Sequence, residues 1–332
     1  MDFEFSPEQE MLRASVRAFL AVKAPLSWVR QHYETDRFPD AVWRDLATLD
    51  VFELDMVDSA VVLEEIGRAL CPVPYASSAI GARALQPELD GIGTIAIYEP
   101  GSRYEWRTPT TEVRDGRVYG TKVHVVDATA ADQFIVTAMG ENGFDAFVAI
   151  EGRIEPIATA DGSRKQATVV FDGAKAFPLA VDHAAVERAL DRLGVAYAVD
   201  AVGAAQRALE LSVEYAKERE QFGKPIGSFQ AVQHLCADML RAVELGRAAA
   251  YYACWAIDEA SPEEAHRAAT LARAFAADAF PQLGGTAIQV FGGIGFTWEH
   301  DIHLYYKRLL SQSVAFGTAS DHLEELAAIA ID

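Results

Sequence analysis

Residues 217–230 read KEREQFGKPIGSFQ, and the reading of this stretch decides the fold. Before it, residues 184–220 carry apolar residues at helical spacing and close in a run of charge. After it, residues 228–260 open a second helical pattern, with Phe229, Val232, Leu235, Met239 and Val243 on one face. Gly223 suits a helix C-terminus and Pro225 stops its continuation. The stretch therefore reads as a bend between two long helices. Arg219, Gln221 and Phe222 cluster at that bend, where they could meet a phosphate and a ring. Taken alone, the same residues describe a capped helix hairpin with solvated charges.

Working outward, residues 262–293 form a third helical segment, with Pro281 as an expected kink, and residues 300–316 form a fourth. Four long helices with short connections favour a bundle. Between the last two lies QVFGGIGFTWEHD, 289–301. Its Gly292, Gly293 and Gly295 permit close backbone approach, as a pyrophosphate needs. The run does not follow a strand, so it is not the dinucleotide fingerprint of an alternating α/β fold, and by itself it reads as a tight turn. AFGTAS, 315–320, breaks the helical pattern after the fourth segment.

The rest of the chain divides by composition. Residues 1–88 read as helices: SPEQEMLRASVRAFLAV with Ser6 as N-cap, DMVDSAVVLEEIGRAL ending near Cys71-Pro72, and PVPYASSAIGARAL. Residues 89–178 are short β-rich runs separated by the turn signals EPGS, RDGR, GENG and ADGS. That spacing leaves no room for crossover helices and predicts a small antiparallel barrel or sandwich. Residues 179–332 return to helix. The fold class is mainly α with a middle β-domain: a shortened N-terminal helical domain, a β-domain and a C-terminal four-helix domain.

A formal net charge of −20 over 332 residues argues against a phosphate-backbone binder. No apolar run is free enough of charge to span a bilayer, and the opening MDFEFSPEQE is unlike a signal peptide, so a cytoplasmic location is expected. Cys71, Cys236 and Cys254 show neither metal nor redox spacing and are expected as buried apolar thiols.

Together and in this order, GAAQRALELSVEYAKEREQFGKPIGSFQAVQHLCADM, IQVFGGIGFTWEHDIHLYYKR and FGTAS resemble the acyl-CoA dehydrogenase family. The resemblance is strong over roughly the last 150 residues, moderate in the N-terminal helices and thin in the β region. It implies FAD as cofactor and the family's reaction, in which a base takes the proton α to a thioester while the β-hydride passes to the flavin. It implies that Arg219, Gln221, Phe222 and Phe229 contact FAD near its pyrophosphate and adenosine. Gln289, Gly292 and Gly293 form the second strip of that contact, and both strips reach the FAD of a neighbouring subunit. Thr318 matches a threonine that touches FAD.

The resemblance also implies losses. The family's usual base, a glutamate before Gly-Thr, falls at Phe316, and a phenyl ring accepts no proton at any pH. The alternative base position, on the first C-terminal helix, falls at Leu193, beside Gly194 where many members carry arginine. Asp200 and Glu244 are the carboxylates to weigh as replacements, while Asp191, Glu299, His300 and His124 read as structural or surface groups. In the β region the Thr-Glu-Pro-Gly-x-Gly-Ser loop is reduced to Tyr98-Glu99-Pro100-Gly101, and His124-Val125-Val126 stands where Trp-x-Thr meets the flavin. The contacts to a neighbour's FAD are kept and the chain's own base is lost. In this the chain resembles the short, degenerate subunit of actinobacterial α2β2 heterotetrameric acyl-CoA dehydrogenases, which act on CoA thioesters of steroid-derived acids. A homologous catalytic subunit is the implied partner and an acyl-CoA the implied substrate. Two alternatives stay open: a structural subunit without flavin contact, and a stand-alone flavoenzyme with a relocated base.

Overall fold

The computed structural model describes residues 5–35, 38–140 and 143–331. The acidic start, residues 1–4, and Glu141-Asn142 of the GENG turn lie outside them. The helices in chain order are α1 (Pro7–Lys23), α2 (Leu26–His32), α3 (Asp40–Ala47), α4 (Met56–Ala69), α5 (Arg83–Leu85), α6 (His183–Glu218), α7 (Gln230–Glu259), α8 (Pro262–Phe291), α9 (Ile302–Gln312) and α10 (Ala319–Ile331). A π-helix, Tyr75–Ala82, precedes α5. The strands are β1 (Gly93–Ala96), β2 (Glu112–Arg114), β3 (Arg117–Val126), β4 (Gln133–Gly140), β5 (Gly143–Ala149), β6 (Arg153–Ile157), β7 (Gln166–Leu179), β8 (Glu220–Gln221) and β9 (Lys224–Pro225). Among the described residues no helix is long and apolar enough to cross a membrane.

The chain forms two compact units, one of Met1–Arg30, Leu54–Cys71 and Gly194–Asp332, the other of Gln31–Glu53 and Pro72–Leu193. The first is helical. Ser6 caps α1 through a capping box with Gln9, and α1 packs on α4. Asp55 caps α4, whose Met56 and Val57 N–H groups also donate to Asp258 of α7, at 3.1 Å each. α4 crosses α6 with backbones touching: a Cβ on Gly203 would lie 1.9 Å from the Glu64 carbonyl oxygen, and one on Gly67 1.9 Å from that of Asp200. α8 runs through Pro281 without ending and packs against α7, α9 and α10. The fourth expected helix is shorter than its pattern, ending at Gln312 instead of Phe316, and α10 adds a fifth. Of the cysteines, Cys71 and Cys254 are buried, whereas Cys236 is half-buried, with burial pushing its thiol up.

The second unit holds the sheet. The pairings β4–β2–β3–β7–β5 return to β4, so these strands close on themselves around a core that includes Val118, Val136, Phe134 and Phe171. The expected all-antiparallel pattern needs correction: β1 and β2 both pair with β4 in parallel. A parallel pair needs a long connection but not a helical one, and the β2–β3 hairpin occupies the stretch between β1 and β4. Strand β6 was not legible in the sequence. The segment after Cys71-Pro72, expected as ordinary helix, is wound as the π-helix. Its Ser77 donates to Asp127 at 2.6 Å and its Ser78 accepts from Gly93 N at 3.1 Å.

Candidate functional site

The bend at 217–230 is a two-residue hairpin. α6 ends at Glu218, and β8 and β9 pair around Phe222 and Gly223, at φ 55° and 78°. Two consecutive positive φ values are the signature of a tight hairpin turn. Gly223 therefore serves this turn and not the helix end, a correction to the sequence reading. Arg219, Gln221 and Phe222 are exposed on it, Phe222 to 92%. Among the described residues the Arg219 guanidinium has no hydrogen-bond or ion-pair partner. Phe229, the residue before α7, is half-buried; its ring meets Phe222 edge-on at 6.1 Å and carries the Lys224 ammonium at 4.3 Å.

The second strip is brought to the same place. Tyr215, one turn before Arg219 and bonded through its carbonyl to Arg219 N, stacks on Phe291 at 4.3 Å and 24°. Phe291 ends α8, so the hairpin and the glycine run are neighbours in space. Gln289 is exposed. Gly292 adopts φ 64°, ψ −143°, which only glycine takes without strain. A Cβ on Gly292 or Gly293 would meet nothing within 4 Å, so this backbone is bare. An unpartnered guanidinium, exposed amides, aromatic rings and an uncovered glycine backbone form a donor set that fits a pyrophosphate and a heteroaromatic ring. His300 packs on Phe291 at 4.2 Å and accepts the Ile302 N–H at 3.1 Å, with burial pushing its imidazole below the usual range.

The comparisons with known proteins agree with this geometry. Residues 6–94 match the acyl-CoA dehydrogenase N-terminal domain, and residues 183–330 the acyl-CoA dehydrogenase C-terminal domain. The acyl-CoA dehydrogenase IpdE2 of Mycobacterium tuberculosis is 33% identical over 91% of this chain and 90% of its own length. The chain belongs to the acyl-CoA dehydrogenase family. IpdE2 of Mycolicibacterium smegmatis is 34% identical over 97% of this chain and 99% of its own length. A solved structure of a Tcur3481–Tcur3483 steroid acyl-CoA dehydrogenase variant superposes with a TM-score of 0.89 at 26% identity, covering 98% of each chain. Acyl-CoA dehydrogenases are FAD-dependent, and FAD is the cofactor of this chain's family.

In an acyl-CoA dehydrogenase the remaining question is the base. The Phe316 ring packs edge-on against Tyr197 of α6, with centroids 5.0 Å apart. It borders a small depression that Arg273 and His322 also line. Gly194 admits Arg273: a Cβ there would lie 2.5 Å from the Arg273 Cδ. Arg273 and His266 of α8 and His322 of α10 surround Glu325, with contacts of 3.5–3.8 Å, so α10 is pinned to α8 by charge. Burial pushes the Glu325 carboxyl up, but His322, Arg273 and His266 hold it below the usual range. Tyr197, Arg273, His322 and Glu325 escaped the sequence reading, because α6, α8 and α10 meet only in the fold.

Thr318 caps α10: its N–H and hydroxyl both donate to Asp321, at 2.8 and 2.7 Å. In the other unit Leu193 is buried, with both terminal methyls 3.3 Å from where a Cβ on Gly81 of the π-helix would stand.

The carboxylates weighed as replacements are committed elsewhere. Asp200 is fully buried and accepts from Arg308 at 2.8 and 3.0 Å and from Gln312 at 2.5 Å. Glu244 is exposed and pairs with Arg247 at 2.6 Å. Asp191 is buried and Glu299 exposed. His124 is exposed, 3.0 Å from Gln166. Glu99 of the shortened loop accepts from Thr110, Thr111 and the fully buried Lys122. Burial pushes the Glu99 carboxyl up, but Lys122, Thr110 and Thr111 hold it down at about 2. This part of the loop is a structural tie.

Proposed function

We propose that this chain is a non-basic subunit of a heteromeric FAD-dependent acyl-CoA dehydrogenase. It lends Arg219, Gln221, Phe222, Phe229, Gln289, Gly292, Gly293 and Thr318 to FAD in an assembly whose base comes from a homologous partner subunit. The observation that carries this reading is an asymmetry within one chain. The flavin-type strip is open, exposed and unpartnered, while both positions that would hold a base bear hydrocarbon packed into neighbours, Phe316 on Tyr197 and Leu193 at Gly81.

The chemistry follows from what each group can do. FAD, when bound, accepts the hydride from the β-carbon. Arg219 neutralises phosphate charge and the bare Gly292-Gly293 backbone lets a phosphate approach. The N–H of Phe316 has no acceptor among the described residues, so it can still polarise a thioester oxygen. Taking the α-proton needs an acceptor within about 3 Å of it, and no side chain at 316 or 193 can be one. The heteromeric steroid acyl-CoA dehydrogenase among the solved relatives supports a paired assembly and a bulky, steroid-derived acyl group.

The test is expression of the chain alone and together with a longer homologous acyl-CoA dehydrogenase subunit carrying the glutamate. The expected result is no acyl-CoA oxidation by the chain alone, turnover and bound FAD in the pair, and loss of FAD from the pair with Arg219→Ala. Turnover by the chain alone would make it a self-sufficient flavoenzyme. FAD content unmoved by Arg219→Ala would make it a structural subunit.

A further inference from the structure

We infer that a cleft between α1, α4, α6 and α7, remote in sequence from the flavin strip, is a binding site for a small oxyanion, the carboxylate or phosphate group of a small molecule. The cleft has a volume of about 320 Å³, within the range of small-ligand sites. Its charged lining is Arg13, Arg17, Arg68 and Arg247 against Glu64, Glu65 and Glu210. That is four positive groups to three negative, in a chain whose net charge is −20. An excess of positive charge concentrated in a concavity of an acidic protein focuses the field on anions.

The hydrogen bonds give the argument its direction. Every oxygen of the three carboxylates already accepts. Glu65 takes two bonds from Arg17, at 2.6 and 2.8 Å. Glu210 takes two from Arg68, at 2.7 and 2.5 Å, and one each from Gln206 and Arg207. Glu64 takes Arg247 on one oxygen and the Tyr251 hydroxyl, at 2.8 Å, on the other.

The guanidiniums are not exhausted. Arg13 donates only from Nη1, to the exposed Glu10 at 3.2 Å, and its Nε and Nη2 have no acceptor among the described residues. The same holds for Nη1 of Arg17 and Nε of Arg68. The unfilled capacity of the charged lining is therefore donor capacity, which a cation cannot use and an oxyanion can. Phe5 supplies the apolar wall. It lies under the Arg13 guanidinium at 4.0 Å and is held edge-on by Tyr251 at 5.2 Å, a surface suited to the carbon part of a small organic anion.

The test uses the chain purified with its partner subunit, in chloride-free buffer, titrated calorimetrically with inorganic phosphate and separately with succinate. Binding of at least one probe, one per copy of this chain, is expected. Phosphate alone would identify a phosphate-bearing ligand and succinate alone a carboxylate. Arg13→Gln is expected to weaken that binding about tenfold or more, because a charge-assisted bond is lost. Its melting temperature without ligand should stay unchanged, since the only partner lost is exposed. Arg13→Lys, which keeps the charge but not the fork, should fall between and carries the test if Arg13→Gln fails to fold. Absence of heat with both probes, or binding that neither variant weakens, overturns the site. None of these outcomes depends on the cofactor reading, because no flavin-strip residue lines the cleft.

Discussion

Arg308 and Arg219 belong to the same helical unit and hold opposite positions. Arg308 is fully buried on α9, and its guanidinium grips both oxygens of the equally buried Asp200. Arg219 stands exposed at the hairpin after α6 without a partner among the described residues. A buried charge must be met by an opposite charge and hydrogen bonds, or the fold loses several kcal/mol. An exposed arginine asks nothing of the fold and keeps its donors for something outside the chain. The contrast separates side chains that build the helical unit from those held ready for a ligand, and it can be attacked from either side.

The largest effect is expected at the buried side. Arg308→Met leaves Asp200 as an uncompensated buried charge and should cost roughly 3–5 kcal/mol of unfolding free energy, read as a lower midpoint in urea. Arg308→Met with Asp200→Leu should recover most of that loss, since removing both partners removes the orphan. If Arg308→Met costs less than about 1 kcal/mol, the pair is not a foundation of the fold and Asp200 returns as a candidate base. Next comes the α4–α6 crossing. Gly203→Ala drives a methyl into the Glu64 carbonyl and should cost about 1–3 kcal/mol, while leaving FAD content of the assembled protein unchanged.

How much of this was legible beforehand follows the same division. The exposed strip was readable because its residues are local: Arg-x-Gln-Phe-Gly-Lys-Pro and Gly-Gly-x-Gly are short runs whose chemistry does not depend on distant partners. The long helices were readable from their period, and the cap at Ser6 from its residue type. The parallel pairing of β1 with β4 was not, because nothing in a strand announces its neighbour's direction. Asp200 looked like a spare carboxylate because Arg308 lies far along the chain, and Gly194 looked like a loss because Arg273 reaches it from another helix. The π-helix was hidden for a related reason: YASSAIGA has an ordinary helical composition, and its wider winding comes from packing that the sequence does not display.

Between the extremes lies Glu210, partly exposed and tied to Arg68. Burial pushes its carboxyl up, but the hydrogen bonds from Arg68 and Gln206 and the Arg68 charge hold it down at about 2, against 4.5 for an ordinary glutamate. A depressed carboxyl stabilises the fold fully above its unfolded value and loses that contribution as pH falls through the folded one. Native protein should therefore exceed Glu210→Gln in stability by roughly 1–3 kcal/mol near neutrality. The gap should close between pH 4.5 and about 2. A gap that is flat across that range would show that Arg68 does not discriminate the charged carboxyl.

The smallest effect on folding is expected at Arg219, and there the comparison is sharpest. Arg219→Ala removes no contact made within the described chain, so unfolding free energy should move by less than about 0.5 kcal/mol. The same substitution should lower the affinity of the assembled enzyme for FAD by about tenfold or more, because a guanidinium–phosphate bond in a partly desolvated interface is charge-assisted. Arg219→Lys should retain the charge and lose the fork, giving an intermediate loss that grows with ionic strength. Flavin absorbance retained through gel filtration at two salt concentrations measures both. A variant that destabilised the isolated chain while keeping its flavin would invert the assignment: Arg219 would be a structural arginine, and the open hairpin would have to be explained by something other than a cofactor.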